Sequence, residues 1–180
     1  PATDPGIDAV ETAVLAWLGQ AQDMSATRDG GVARDFSLVW GWAPSYPETS
    51  GYIVPTLIDA AIRRNDSALL DRARRMVDWL VGIQLPDGGF QGGTVDAEPV
   101  VPVTFNTGQI LMGFAAARRQ FGDRYDGPMH RAAGWLVASI YEATLLPLLP
   151  VVVQAVVTIL IYPALASLLA KLQNRVLTVP

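Results

Sequence analysis

The sequence predicts an all-α protein built from repeated helical hairpins, and three observations carry that prediction. A hydrophobic fraction of 51% against 17% charged residues over 180 positions supplies enough apolar surface for a buried core. A Trp-Leu pair recurs at Trp17, Trp79 and Trp135, at spacings of 62 and 56 residues. Between these pairs a second pattern recurs out of phase: ETSGYIVPTLIDAAIRR from Glu48 is echoed by FNTGQILMGFAAARRQ from Phe105, with Gly51 and Gly108 57 residues apart.

Taken in order, the first element is a helix over Ile7 to Gln22, whose apolar stripe is Ile7, Val10, Val14, Trp17 and Leu18 at intervals of three and four. The second covers Ile53 to Arg64, is apolar on most sides, and ends in the pair Arg63 and Arg64, which suits the dipole of a last helical turn. The third runs from Ser67 to Gln84 with Ser67 as its expected N-cap and a stripe of Leu69, Ala73, Met76, Val77, Leu80 and Val81. A Gly- and Pro-rich turn, LPDGGFQGG, follows it. VVPVTF at Val100 then offers a short extended piece before a fourth helix over Thr107 to Gln120, and a fifth spans Pro128 to Ser139.

Helix hairpins of this kind bury their apolar faces on one another and do not stand singly. The arrangement expected is a partial α/α toroid of about two and a half helical hairpins. Its less polar helices, Ile53 to Arg64 and Thr107 to Gln120, form an inner ring, and the three amphipathic ones an outer ring. An open set leaves a flank uncovered, expected near Ile110 to Phe114 and Trp135 to Val137.

The repeat ends near Ile140. Residues 1–139 form the incomplete repeat domain and residues 140–180 a hydrophobic tail, in which Ala143 to Ala170 are 28 consecutive uncharged residues bounded by Glu142 and Lys171. That length suits a hydrophobic helical segment able to cross a bilayer, with Lys171 and Arg175 marking the cytoplasmic side. Pro147, Pro150 and Pro163 break it into shorter pieces, so folding back over the open flank is the competing expectation, and a fused or shifted reading frame is an alternative origin. The chain opens at Pro1 and its first methionine is Met24, which places the expected natural N-terminus upstream.

Composition narrows the function. A net charge of -4 and a pI near 4.8 exclude a nucleic-acid partner, which requires clustered Lys and Arg. Without Cys and with His130 alone, thiolate metal sites, Cys nucleophiles and multi-imidazole sites are excluded, and no cofactor is expected.

The stretch DGGVARDFSLVWGWAPSYPETSGYIVPTLIDAA, with WLVGIQLPDGGFQGG and VTFNTGQILMGFAAA, resembles proteins of bacterial exopolysaccharide gene clusters within the six-hairpin glycosidase and terpenoid-cyclase-like toroids. The likeness covers Ile7 to Ser139 and is most specific over Tyr46 to Asp59 and Gln84 to Gly93. It implies a carbohydrate-active fragment of hydrolase, lyase or epimerase type acting on a polysaccharide or oligosaccharide, with a noncatalytic glycan- or protein-binding scaffold as the alternative. Gln84 with Asp87 to Phe90 also resembles the repeat of squalene cyclases and protein prenyltransferases. The Asp-rich acid motif and the zinc ligands of those enzymes are absent, so a lipid enzyme ranks lower.

Sugar chemistry calls for carboxylates in a cleft edged by aromatic rings. Glu48, in PSYPETSGY just before an inner helix, is the candidate acid, although compensation of the helix dipole explains a Glu there equally well. Asp87, Asp96 and Glu98 are further loop acids, the first also suited to an Asp-Gly turn. Trp40 and Trp42 have no counterparts in the later units and, with Tyr46 and Tyr52 nearby, form the candidate sugar platform. Asn106 and Gln109 are candidate hydroxyl partners, with helix capping the competing role for Asn106.

Overall fold

In a computed structural model, residues 4–144 are described, together with residues 156, 157, 161 and 167. The described chain is predominantly helical. Its elements are α1 (Ile7–Asp23), β1 (Phe36–Ser37), β2 (Gly41–Trp42), α2 (Pro47–Arg64), α3 (Ser67–Ile83), α4 (Thr104–Phe121), a single 3-10 turn (Asp123–Tyr125) and α5 (Asp126–Thr144). The chain divides into two compact units after Ile140. Most of the apolar stretch 143–170 lies outside the described residues; among the described ones no helix is long and apolar enough to cross a membrane.

Helix α2 starts six residues earlier than the periodicity predicts because Pro47 at its first position pre-sets the helical φ. It ends at Asn65, which takes the left-handed conformation at φ 51° and ψ 46°. Helix α3 is capped by Asp66 rather than Ser67: the Asp66 carboxylate accepts from the backbone N–H of Ala68 at 2.9 Å and of Leu69 at 3.4 Å, leaving Ser67 as the first helical residue.

The core lies where α2 packs on α3 and α4. Val54, Leu57 and Ala61 of α2 meet Ala73, Met76, Val77 and Leu80 of α3 and Ile110, Phe114 and Ala117 of α4, joined by Phe90 from the intervening loop. The α2–α4 contact is a close backbone approach. A Cβ on Gly51 would stand 2.7 Å from the Ile110 Cα, and one on Gly113 would stand 2.5 Å from the Gly51 carbonyl oxygen. Pro55 has no N–H to give that carbonyl, the one four residues before it, and Gly113 lets α4 come up against it.

Expectations about burial are overturned in two places. Within the stretches expected to be uncovered, Ile110 and Phe114 are fully buried, whereas Met112 and Val137 are exposed as expected and Trp135 is half-buried. The predicted stripe of α1 faces outward: Ile7, Val10, Val14 and Trp17 are exposed and Leu18 half-buried, while Leu15, Gly19, Ala21 and Gln22 are the buried residues. Side chains at the far end of α2 tie α1 down instead. Glu11 takes Arg63 at 2.7 Å and Arg64 at 2.9 Å, a pairing that holds its carboxyl below the ordinary carboxylate value.

The one sheet among the described residues is a hairpin that the sequence reading did not anticipate. Phe36 pairs with Trp42 and Ser37 with Gly41, and the isolated bridge between Ala33 and Ser45 continues the same register, so the ribbon runs from 33 to 45. VVPVTF forms no strand; its Pro102 makes a single bridge to Gln91, and Val103 is the N-cap of α4.

The sequence repeat reappears as a repeat of hydrogen bonds. Gln22 Nε2 donates to the Gly30 carbonyl at 2.9 Å and to the Arg72 carbonyl of α3 at 3.2 Å; Gln84 Nε2 donates to Gly88 at 3.0 Å and to Pro128 of α5 at 3.0 Å. Asp29 accepts the Gly31 N–H and Asp87 the Gly89 N–H, at 3.1 and 3.0 Å. Each Gly-Gly turn then lies under the Trp of the next amphipathic helix, Gly31 against Trp79 and Gly89 against Trp135.

Candidate functional site

The loops between each amphipathic helix and the following apolar one gather at the N-terminal ends of α2 and α4. Two contacts hold them there. The Val95 N–H donates to the Ser45 carbonyl at 2.8 Å, and Asn106 Nδ2 donates to the Gln91 carbonyl at 3.0 Å, so the 91–95 loop bridges the starts of both helices. The close Gly51–Ile110 contact sets α2 and α4 side by side at that end.

Glu48 stands half-buried in the first turn of α2, at the positive end of the helix dipole. Tyr52 is four residues on, hence on the same helix face, and is 41% exposed. Gln109 is half-buried in the second turn of α4. These three residues share one end of the helix pair. Tyr46, half-buried, is the N-cap residue of α2 and supplies no side-chain cap; its backbone N–H donates to the Val32 carbonyl at 2.8 Å.

The other candidates are placed differently. Asn106 is buried and is the third residue of α4 rather than its cap; its amide is spent on Gln91. Asp87 is a turn residue, with one carboxylate oxygen on the Gly89 N–H and the other accepting from Trp135 Nε1 at 3.1 Å. Asp96 and Glu98 are exposed on the bridging loop. Trp42 is not a free platform: it packs on Trp17 with ring centroids 4.7 Å apart and on Phe36 at 4.9 Å. Trp40 has an open ring, 88% exposed at the ribbon tip beside exposed Leu38 and Val39.

A buried hydroxyl network that the sequence did not signal anchors the base of the ribbon. Ser45 has one hydroxyl proton, and it goes to Asp29 Oδ1 at 2.6 Å. Ser25 Oγ accepts the Arg28 N–H at 3.1 Å, so its own proton meets Ser45 Oγ, also at 3.1 Å. Thr27 Oγ1 likewise accepts the Ser45 N–H at 3.2 Å and donates to Ser45 Oγ at 3.0 Å. Every lone pair and proton of Ser45 is thereby used, which makes it a clamp rather than a nucleophile.

Outside the ribbon, an open polar cleft of about 550 Å³ lies between the end of α1 and α3, lined by Asp23, Arg28, Asp29, Arg75, Asp78 and Trp79 among others. Asp23 is held there by Arg72 at 2.6 Å, and this hydrogen bond keeps its carboxyl below the ordinary value of 3.8. Among the described residues no group of three or more His, Cys, Asp or Glu side chains is arranged to hold a metal ion.

No protein-family model, curated protein or solved structure matches the chain.

Proposed function

We propose that this chain is a carbohydrate-active helical-repeat module, an incomplete α/α toroid of the kind associated with bacterial exopolysaccharide biosynthesis or processing. Its sugar contacts are Trp40, Glu48, Tyr52 and Gln109. The observation that carries the reading is the shared placement of Glu48, Tyr52 and Gln109 at one end of two closely packed helices. A carboxylate and an amide for sugar hydroxyls, with an exposed phenol ring for a sugar face, are the groups a glycan site needs. Trp40, on the ribbon anchored to the same loops, adds a second exposed ring.

The test is binding of the full chain to exopolysaccharide oligosaccharides by affinity electrophoresis. Trp40→Ala and Tyr52→Ala should each weaken retention about tenfold, the loss of one stacking ring, with unchanged helical circular dichroism. Retention equal to the parent protein in both variants removes the proposal.

The noncatalytic alternative is favoured by the accounting of acids. Glycoside hydrolysis uses two carboxyl groups across the scissile bond. Of the loop acids, Asp87 is committed to its turn and to Trp135, and Asp96 and Glu98 stand exposed on the loop. Glu48→Gln separates the two readings: a hydrolase, lyase or epimerase loses turnover, whereas a binding scaffold has no turnover to lose and changes only by the weakening of one hydroxyl contact.

A further inference from the structure

The three amphipathic helices can be aligned on their tryptophans, and the alignment shows what α1 lacks. Ten residues before the Trp stand Ile7, Leu69 and Tyr125; the second and third are 8% and 1% exposed, the first 84%. Three residues before it stand Val14, Met76 and Ala132, of which Met76 and Ala132 are buried and Val14 is exposed. Trp79 is buried against Gly31 and Trp135 half-buried against Gly89, whereas half of Trp17 is open, its packed part resting on Trp42 and Phe36. Leu69, Met76, Tyr125 and Ala132 belong to the core, and beside them the Asp-Gly-Gly turn of the preceding unit sets its first glycine at the carbonyl four residues before the Trp (Arg75 in α3, Arg131 in α5) and its second against the indole.

We infer that the α1 face formed by Val10, Val14 and Trp17 is a docking site for a partner polypeptide carrying the Gln-x-x-Asp-Gly-Gly form of this turn, the form found at Gln84 to Gly89, the first in-chain turn having a longer spacing from Gln22 to Asp29. The in-chain junctions specify the contact. The second glycine lies under the indole, because any side chain there collides with the ring, as a Cβ would at Gly31 (2.5 Å) and Gly89 (2.7 Å). The glutamine amide reaches the carbonyl seven residues before the Trp, which is Arg72 in α3 and Pro128 in α5 and is Val10 in α1. The face is apolar from Pro5 to Trp17 and encloses a shallow cleft of about 430 Å³. The in-chain turns are already taken, the first by Trp79 and the second by Trp135, so the occupant of α1 is a turn from elsewhere.

The probe is a synthetic peptide of residues 76–93, whose turn is closed by its own bonds from Leu85 N–H to Gly89 O and from Gly88 N–H to Leu85 O. It is titrated into the full chain labelled with ¹⁵N, with Trp17→Phe identifying the Trp17 indole resonance. The expected result is a saturable shift of that resonance, half-complete at about 1 mM, the affinity range of one ring contact and two hydrogen bonds, while the Trp40 resonance stays in place. The Gly89→Ala peptide should produce no shift, and the Gln84→Leu peptide should bind about tenfold more weakly. A Trp17 resonance that does not move, or that moves equally with the Gly89→Ala peptide, overturns the inference. So does a Trp17 shift that depends on protein concentration and that the peptide does not compete away, since the occupant would then be a second copy of the chain.

Discussion

The indole of Trp79 fills the space that a side chain on Gly31 would need, and the distance is decisive: a Cβ there would stand 2.5 Å from Cη2 and 2.6 Å from Cζ3. The ring cannot move aside, because Trp79 belongs to the buried cluster of α3. Gly31→Ala should therefore cost about 1 to 3 kcal/mol, the range for overpacking a filled interior, read from urea denaturation. Gly89→Ala at the Trp135 junction should cost less, because that ring is only half-buried and can give. Equal losses would mean that the Trp135 ring is held as firmly as that of Trp79.

How much of this was legible in the sequence depends on whether one residue served local and tertiary needs together. The repeat was visible because Trp, Asp and paired Gly are demanded both by the turn and by the packing across it, so chance substitution is costly. The five helices were legible for the same reason, although α2 begins six residues before and α5 ends five residues after the bounds that periodicity gives. The 33–45 ribbon was not: Arg34 and Asp35 sit in its stem, and Leu38, Val39 and Trp40 form an exposed apolar tip, so no alternation marks it. Periodicity found the apolar stripe of α1 but cannot say what covers it. In the site, Glu48 and Tyr52 fell on one helix face as spacing implies, whereas Trp42 was lost to the ring of Trp17, a tertiary contact that spacing does not encode.

Ser50 and Thr107 make the same pair of bonds in the first turns of α2 and α4. Each hydroxyl accepts a loop N–H, from Val32 at 2.9 Å or Phe90 at 3.0 Å, and donates to the carbonyl four residues back. Ser50→Ala should cost about 1 to 3 kcal/mol, the penalty for a buried donor left unpaired. Thr107→Ser keeps the hydroxyl and should cost only its buried methyl, about 1 kcal/mol. Thermal melts of the two variants check this, and a harmless Ser50→Ala would show that water reaches the Val32 N–H.

Asp23 and Arg72 join the end of α1 to α3, and their pairing sets an acid limit. The hydrogen bond from Arg72, followed by its charge, lowers the Asp23 carboxyl below its ordinary 3.8 despite opposing desolvation. A lowered folded-state value means that the contribution is complete above the unfolded value and disappears as pH falls through the folded one. Arg72→Met should lose about 1 kcal/mol at neutral pH, a modest figure because both partners are partly exposed. It should also flatten the fall in stability below about pH 4. An acid limb identical to that of the parent protein would assign the acid sensitivity to other carboxylates.

Tyr125 sets the alkaline limit. Its ring is almost fully buried at the start of α5, its hydroxyl donates to Asp78 Oδ1 at 2.8 Å, and Arg124 reaches the same oxygen at 2.6 Å. Burial is the largest cause, followed by the hydrogen bond to Asp78 and by the negative charge of Asp78, and together they raise the phenol from 10.0 to about 12. Because the folded value lies above the unfolded one, the stabilisation is full below about pH 10 and drains away as the pH rises towards 12. Phenolate absorbance, compared with that of Tyr125→Phe, should show Tyr125 titrating late, together with the alkaline unfolding transition. Asp78→Asn removes the charge but leaves the burial, so the late tyrosine should titrate earlier while remaining above its unfolded value, and alkaline unfolding should begin at lower pH. If Asp78→Asn leaves the late titration where it was, burial and the hydrogen bond hold the proton, and the charge of Asp78 contributes nothing to the alkaline limit.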